Sequence, residues 1–235
     1  MNHKINKLVC IGATVMLGLN AFGDATIYNS FPNYNGNAFS LANGQEIGNE
    51  ISLNTNIWDL NSFTLQYYSP DLTLSSSVGV DVRFYLNDGA LTNGFASPGT
   101  KFFDSGWFYN AGGGGMPANG YQNVYYTNTD FYGGSLVNMT VGSHLPTDFT
   151  FTVSFTNLDL SNVVELPLAN SPTGQPATSY GDYWRNDNGQ WALVTNSVPA
   201  NLTVQFTGSV PEPSIFCLGA IGSALLLGVQ RLRKR

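Results

Sequence analysis

The chain has 235 residues, with 15 acidic and nine basic side chains and a high aromatic content of 15 Phe, 12 Tyr and four Trp. Between Thr26 and Ser209 the imbalance grows, because only Arg83, Lys101 and Arg185 are basic there against 13 acids, a net charge of −10. That middle part lacks the basic footprint that nucleic acid requires, and anionic membrane surfaces repel it.

The N-terminal end reads as a leader. Lys4 and Lys7 precede a 12-residue apolar run, Leu8–Leu19, and small residues follow in Ala21-Phe22-Gly23-Asp24-Ala25. This order is that of a secretory signal peptide over residues 1–25, with cleavage after Gly23 or Ala25. Export implies an oxidising compartment, yet the two cysteines, Cys10 and Cys217, both fall in the terminal segments. The exported body is therefore expected to stand on its hydrophobic core without a disulfide. At about 185 residues it is long enough for one core and one domain, residues 26–209.

The body carries the period of strands. Phe63-Thr64-Leu65-Gln66-Tyr67, Val82-Arg83-Phe84-Tyr85-Leu86, Phe149–Thr156 and Leu202–Thr207 alternate apolar and polar residues. A period of two marks half-buried strands. Lys101–Tyr109, Tyr121–Tyr126, Ser135–Thr140 and Trp191–Thr195 are further strand candidates. Turn signals recur at Asn35-Gly36, Asn43-Gly44, Asn87-Asp88-Gly89, Asn119-Gly120 and Asn188-Gly189, where left-handed backbone is tolerated. The expected fold is all-β, an antiparallel β-sandwich of jelly-roll-like form with Thr and Ser on its outer faces. Gly112–Gly115 reads as a loop, since no Lys-Ser/Thr and no helix follow to make it a phosphate cradle. Leu166–Pro176, rich in proline, reads as a long connection.

Catalytic signals are sparse. His144 is the only histidine of the body, no Gly-x-Ser-x-Gly elbow accompanies it, and one His without Cys does not make a zinc site. Glu46 and Glu50 are a carboxylate pair at a spacing of four, but Gly44 and Gly48 argue against a helix that would align them for glycoside hydrolysis. No cofactor is expected. Calcium as a structural ion has candidate oxygen ligands in Asn33–Asn37 and in Asp182 with Asp187. Turn chemistry accounts for the same residues.

Tyr and Trp concentrate in Trp107-Phe108-Tyr109, Tyr125-Tyr126 and the segment Tyr183-Trp184…Trp191. Sugar rings stack on aromatic faces, so Tyr183, Trp184 and Trp191 are candidate carbohydrate contacts. Filling the sandwich core is the competing role for such residues.

The C-terminal 26 residues are the most specific segment. Val210-Pro211-Glu212-Pro213 is followed by the uncharged run Ile215–Val229 and then by Gln230-Arg231-Leu232-Arg233-Lys234-Arg235. The prolines hold the first motif extended. The apolar run spans roughly 22 Å as a helix, short against a hydrocarbon core of about 30 Å but sufficient with interfacial ends and local thinning. The basic cluster then marks the cytoplasmic side. One transmembrane helix over 215–229 is expected.

This tail resembles the PEP-CTERM sorting signal of exported proteins in Gram-negative bacteria that make exopolysaccharide. The resemblance rests on Val210, Pro211, Glu212 and Pro213, on the apolar run, and on Arg231, Arg233, Lys234 and Arg235. It implies processing by exosortase, a membrane-embedded cysteine transpeptidase. It also implies a transient inner-membrane anchor with the body in the periplasm, and a final place at the cell surface or outside the cell. The family shares its tail and not its body. Three roles for residues 26–209 follow: a non-catalytic surface or matrix protein, a carbohydrate-binding module, or a polysaccharide hydrolase or lyase.

Overall fold

The computed structural model describes residues 25–54, 59–109, 116–127, 145–173, 175, 177–195 and 199–209. The leader up to residue 24, His144, Gly112–Gly115, Ser135–Thr140 and the whole tail from Val210 lie outside the described residues, while Ala25, the last leader residue, opens the first strand. Asp24–Ser209 forms one compact unit.

Two antiparallel sheets build it, with strands numbered along the chain. The first sheet contains β1 (Ala25–Asn29), β2 (Tyr34–Ser40), β4 (Asp59–Ser69), β10 (Gly120–Thr127), β12 (Glu165–Ala169), β16 (Asn201–Leu202) and β17 (Val204–Ser209). The second contains β3 (Glu46–Leu53), β5 (Gly79–Leu86), β8 (Lys101–Asp104), β9 (Phe108–Tyr109), β11 (Asp148–Thr156), β13 (Ala177–Ser179), β14 (Tyr183–Asp187) and β15 (Gln190–Val194). A small hairpin pairs β6 (Leu91–Thr92) with β7 (Phe95–Ala96). The chain repeatedly changes sheet, since β2, β4, β10 and β12 in the first alternate with β3, β5, β11 and β14 in the second.

The inner faces meet through aromatic rings. On β11, Phe149, Phe151, Val153 and Phe155 point inward and are at most 1% exposed. Phe63 of the first sheet lies 5.8 Å from both Phe84 and Phe151 of the second, and Phe206 lies 5.5 Å from Phe151. Tyr67 closes on Phe155 at 5.5 Å. Each buried Phe contributes about 2–3 kcal/mol of transfer free energy, so this stack supplies what a disulfide would otherwise supply.

A single inward amide ties the layers by polar means. Asn49, 1% exposed, donates to the Asp182 and Ala200 carbonyls at 2.8 and 3.1 Å and accepts from the Leu202 amide at 2.8 Å. It thereby holds β3 to the segment entering β16.

The all-β, sandwich-like expectation is met: β4, β5 and β11 fall where the alternation places them, and β10 and β15 match the further strand candidates. Five details differ. Leu202–Thr207 is not one strand, since Thr203 separates β16 from β17. Lys101–Tyr109 is not one strand, because Gly106 at φ +65° separates β8 from β9. Asn35-Gly36 makes no hairpin turn; Gly36 at φ +84° sits inside β2, opposite an irregular step of β12. The segment read as a connection begins instead with β12, whose Pro167 faces Ala38. Thr150, Thr152 and Ser154, on the outer side of β11, are no more than 3% exposed. The outer side of the second sheet is therefore covered along β11.

Candidate functional site

The outer face of the second sheet gathers a cluster of ionisable side chains, Glu46, Asp81, Arg83, Lys101 and Asp104. Cross-strand register sets the rows: Asn186 stands opposite Glu46, Glu46 opposite Ser154, and Ser154 opposite Asp81. One row on, Gly48, Thr152, Arg83 and Asp104 follow one another across the strands. Directly opposed residues share a face, so these groups converge.

Arg83 is the centre. Its Nη2 lies 2.6 Å from Asp81, its Nη1 3.2 Å from Glu46, and its Nε 3.5 Å from Asp104. The Nε contact is coulombic only, since that N–H makes no hydrogen bond. Lys101 pairs with Asp104 from three residues away. Burial opposes the charge on Arg83, but the surrounding carboxylates outweigh it and hold its pKa above the ordinary value.

The acids respond differently to the same guanidinium. Asp81, 1% exposed, is pushed up to about 6, because burial outweighs the attraction of Arg83 and the Asp104 charge adds to the rise. On Asp104 burial also works against ionisation, yet Lys101, the Gly106 amide and Arg83 together lower its pKa. Glu46 is saturated with donors. Its Oε1 accepts from the Tyr85 hydroxyl at 2.9 Å and from Thr152 at 2.6 Å. Its Oε2 accepts from Arg83 and from Asn186, both at 3.2 Å. Four donors fill the four lone-pair sites of a carboxylate, leaving none to take a substrate proton.

The hairpin β14–β15 turns through Asn188 at φ +55° and Gly189 at φ +85°, as the Asn-Gly signal predicts. Trp191, opposite Asn186, packs edge-on against Tyr85 with ring centroids 5.5 Å apart. Four strand intervals separate β15 from β5, and a flat sheet would hold them about 19 Å apart. The sheet therefore curls, and the hairpin leans across the Arg83 cluster. This covering explains why polar side chains of β11 are buried.

The three aromatic residues expected as carbohydrate contacts are placed differently. Trp184 is 1% and Tyr183 7% exposed, so neither offers a ring face to solvent. Tyr183 packs edge-on against Phe39 at 5.4 Å, and Trp184 stands over Gly48. Trp191 alone of the three is half-exposed. Glu46 and Glu50 share this outer face as residues of one strand; burial, then the nearby Asp148 charge, raises the pKa of Glu50.

Among the calcium candidates, Asn35 and Asp187 have partners within the protein. Asn35 accepts from the Asn37 amide and donates to the Pro199 carbonyl, and Asp187 pairs with Arg185 at 2.7 Å. Among the described residues no group of three or more His, Cys, Asp or Glu is placed to hold a metal, and no helix is long and apolar enough to cross a membrane.

Exposed aromatics occur at Trp107, Phe108 and Tyr109 around β9, at Phe95 and Tyr180, and as a group on the first sheet. Tyr34, Tyr121 and Tyr125 are each more than 40% exposed, and Tyr68 is half-buried beside Tyr121. Sequence clustering missed this group because Tyr34, Tyr68 and Tyr121 are far apart in the chain; only strand pairing unites them. No protein-family model, no curated protein and no solved structure matches the chain.

Proposed function

We propose that the chain is an exported, non-catalytic cell-surface or extracellular-matrix protein, delivered through its C-terminal signal in an exopolysaccharide-producing envelope. The observation that carries this reading is the order Val210-Pro211-Glu212-Pro213, apolar run, basic end, opposite an N-terminal segment of leader type. An exosortase-type enzyme is the processing partner, with Ile215–Val229 as the transient membrane anchor. The finer description of the body is a jelly-roll-like sandwich.

The Arg83 cluster supports the non-catalytic side of the reading. A polysaccharide hydrolase needs one carboxyl free to protonate a leaving oxygen and another free to attack or activate water. Glu46 has all its acceptor sites filled, and Asp81 and Asp104 are bound to Arg83. The cluster acts as a structural bracket for the curled sheet.

Changing Pro211, Glu212 and Pro213 to Ala and following the product by size and cell fraction tests the sorting step. The unaltered chain is expected as a shortened form at the surface or in the medium, and the variant as a longer form in the inner membrane. Identical size and location for both would overturn the proposal.

A further inference from the structure

The outer face of the first sheet carries an aromatic platform of specific make-up. Tyr121 of β10 stands directly opposite Tyr68 of β4, with ring centroids 5.1 Å apart. Tyr34 adds a third ring, 5.9 Å from Tyr121 at an interplanar angle of 72°, and its hydroxyl accepts from that of Tyr121 at 3.1 Å. In the next row Asn123 faces Gln66, whose amide approaches it at 3.5 Å, and in the row after that Tyr125 faces Thr64. Tyr121 and Tyr125, four residues apart on one strand, are separated by about 14 Å, longer than a single sugar ring.

We propose that this face binds a neutral, hydroxyl-rich polysaccharide, with Tyr34, Tyr68 and Tyr121 stacking on its C–H faces and Asn123 and Gln66 bonding its hydroxyls. The ring faces and the phenol and amide groups recur at strand spacing, which suits a repeating polymer in which apolar faces and hydroxyls alternate. Charge selects among polymers. Beside the rings stands Glu165, opposite Tyr68, and the body carries 13 acids against three bases. An acidic chain is therefore repelled, and a neutral one is not. The proposal rests on the export reading only for where such a polymer is met; binding itself does not depend on sorting.

The test uses the purified full-length chain in mild detergent, with laminarin, dextran and cellohexaose as neutral probes and alginate as the acidic one. Retardation in affinity gels and calorimetric titration are expected to show binding to at least one neutral probe and none to alginate. Tyr121→Ala should weaken that binding at least about tenfold, while Trp191→Ala, on the other sheet, leaves it unchanged. Tyr34→Phe, which keeps the ring, serves as a milder second variant, and near-ultraviolet circular dichroism checks that each variant is folded. Failure of all neutral probes, equal binding by folded Tyr121→Ala, or preference for alginate would overturn the proposal. So would a dimer that Tyr121→Ala dissociates, since a second copy would then occupy the face. Tyr121→Ala is expected to reach the same cell fraction as the unaltered chain, which separates this proposal from the sorting one.

Discussion

Asp81 shows how one residue can be both tethered and destabilised. Arg83 sits 2.6 Å away, yet burial lifts the Asp81 pKa to about 6 from an ordinary 3.8. In that interval the folded chain binds a proton that the unfolded chain has released. This contribution to stability is fully present below about pH 4 and is lost as pH rises through about 6, with a span of up to about 3 kcal/mol. Urea unfolding of the native chain and of Asp81→Asn at a series of pH values isolates it. The native-minus-variant difference is expected to decline from pH 4 to pH 6 and level off above 7; a difference independent of pH would reject the assignment. Asn49 makes the opposite choice among buried polar groups, since a neutral amide with three backbone partners needs no counter-charge.

At the scale of elements, the hairpin β14–β15 has the largest effect on the surface around it. Its turn needs left-handed backbone at two successive residues, and Gly189 meets that at no steric cost. Gly189→Val is expected to cost about 1–2 kcal/mol, read as a lower thermal midpoint, and to release Trp191 from Tyr85, read as red-shifted tryptophan emission. An unshifted spectrum would mean that the curl does not depend on this turn. Asn188-Gly189 was legible in the sequence because turn chemistry is local, and β11 was legible because a strand of alternating Phe and Thr has one reading. The central strand β3 was not. Its Glu46, Gly48 and Glu50 look like a loop until β11 and β14 pair on either side, and Gly48 is required there because a Cβ would meet the Phe151 carbonyl at 1.8 Å. The tyrosine platform was hidden for the same reason. Its members come from β2, β4 and β10, and no local pattern encodes that pairing. Tyr183 is buried because it faces the core against Phe39, whereas the burial of Trp184 on the opposite face depends on tertiary covering, which the period of two does not report.

For the molecule as a whole, stability rests on the ring stack between the sheets and not on covalent cross-links. Cys10 and Cys217 both fall outside the span from Ala25 to Ser209. Heating the domain from Ala25 to Ser209 with and without dithiothreitol is expected to give the same midpoint, and a drop under reducing conditions would point to a cross-link this sequence should not have. The pairing of β1 with β17 carries a further consequence. Ala25 lies opposite Gly208, so the first and last strands run side by side and the two ends of the domain meet at one corner, about 5 Å apart. The path of the polypeptide is thus almost a closed ring, broken at a single seam. Bridging that seam with a few residues and opening the ring elsewhere would change the order of the sequence while leaving every neighbour in both sheets the same.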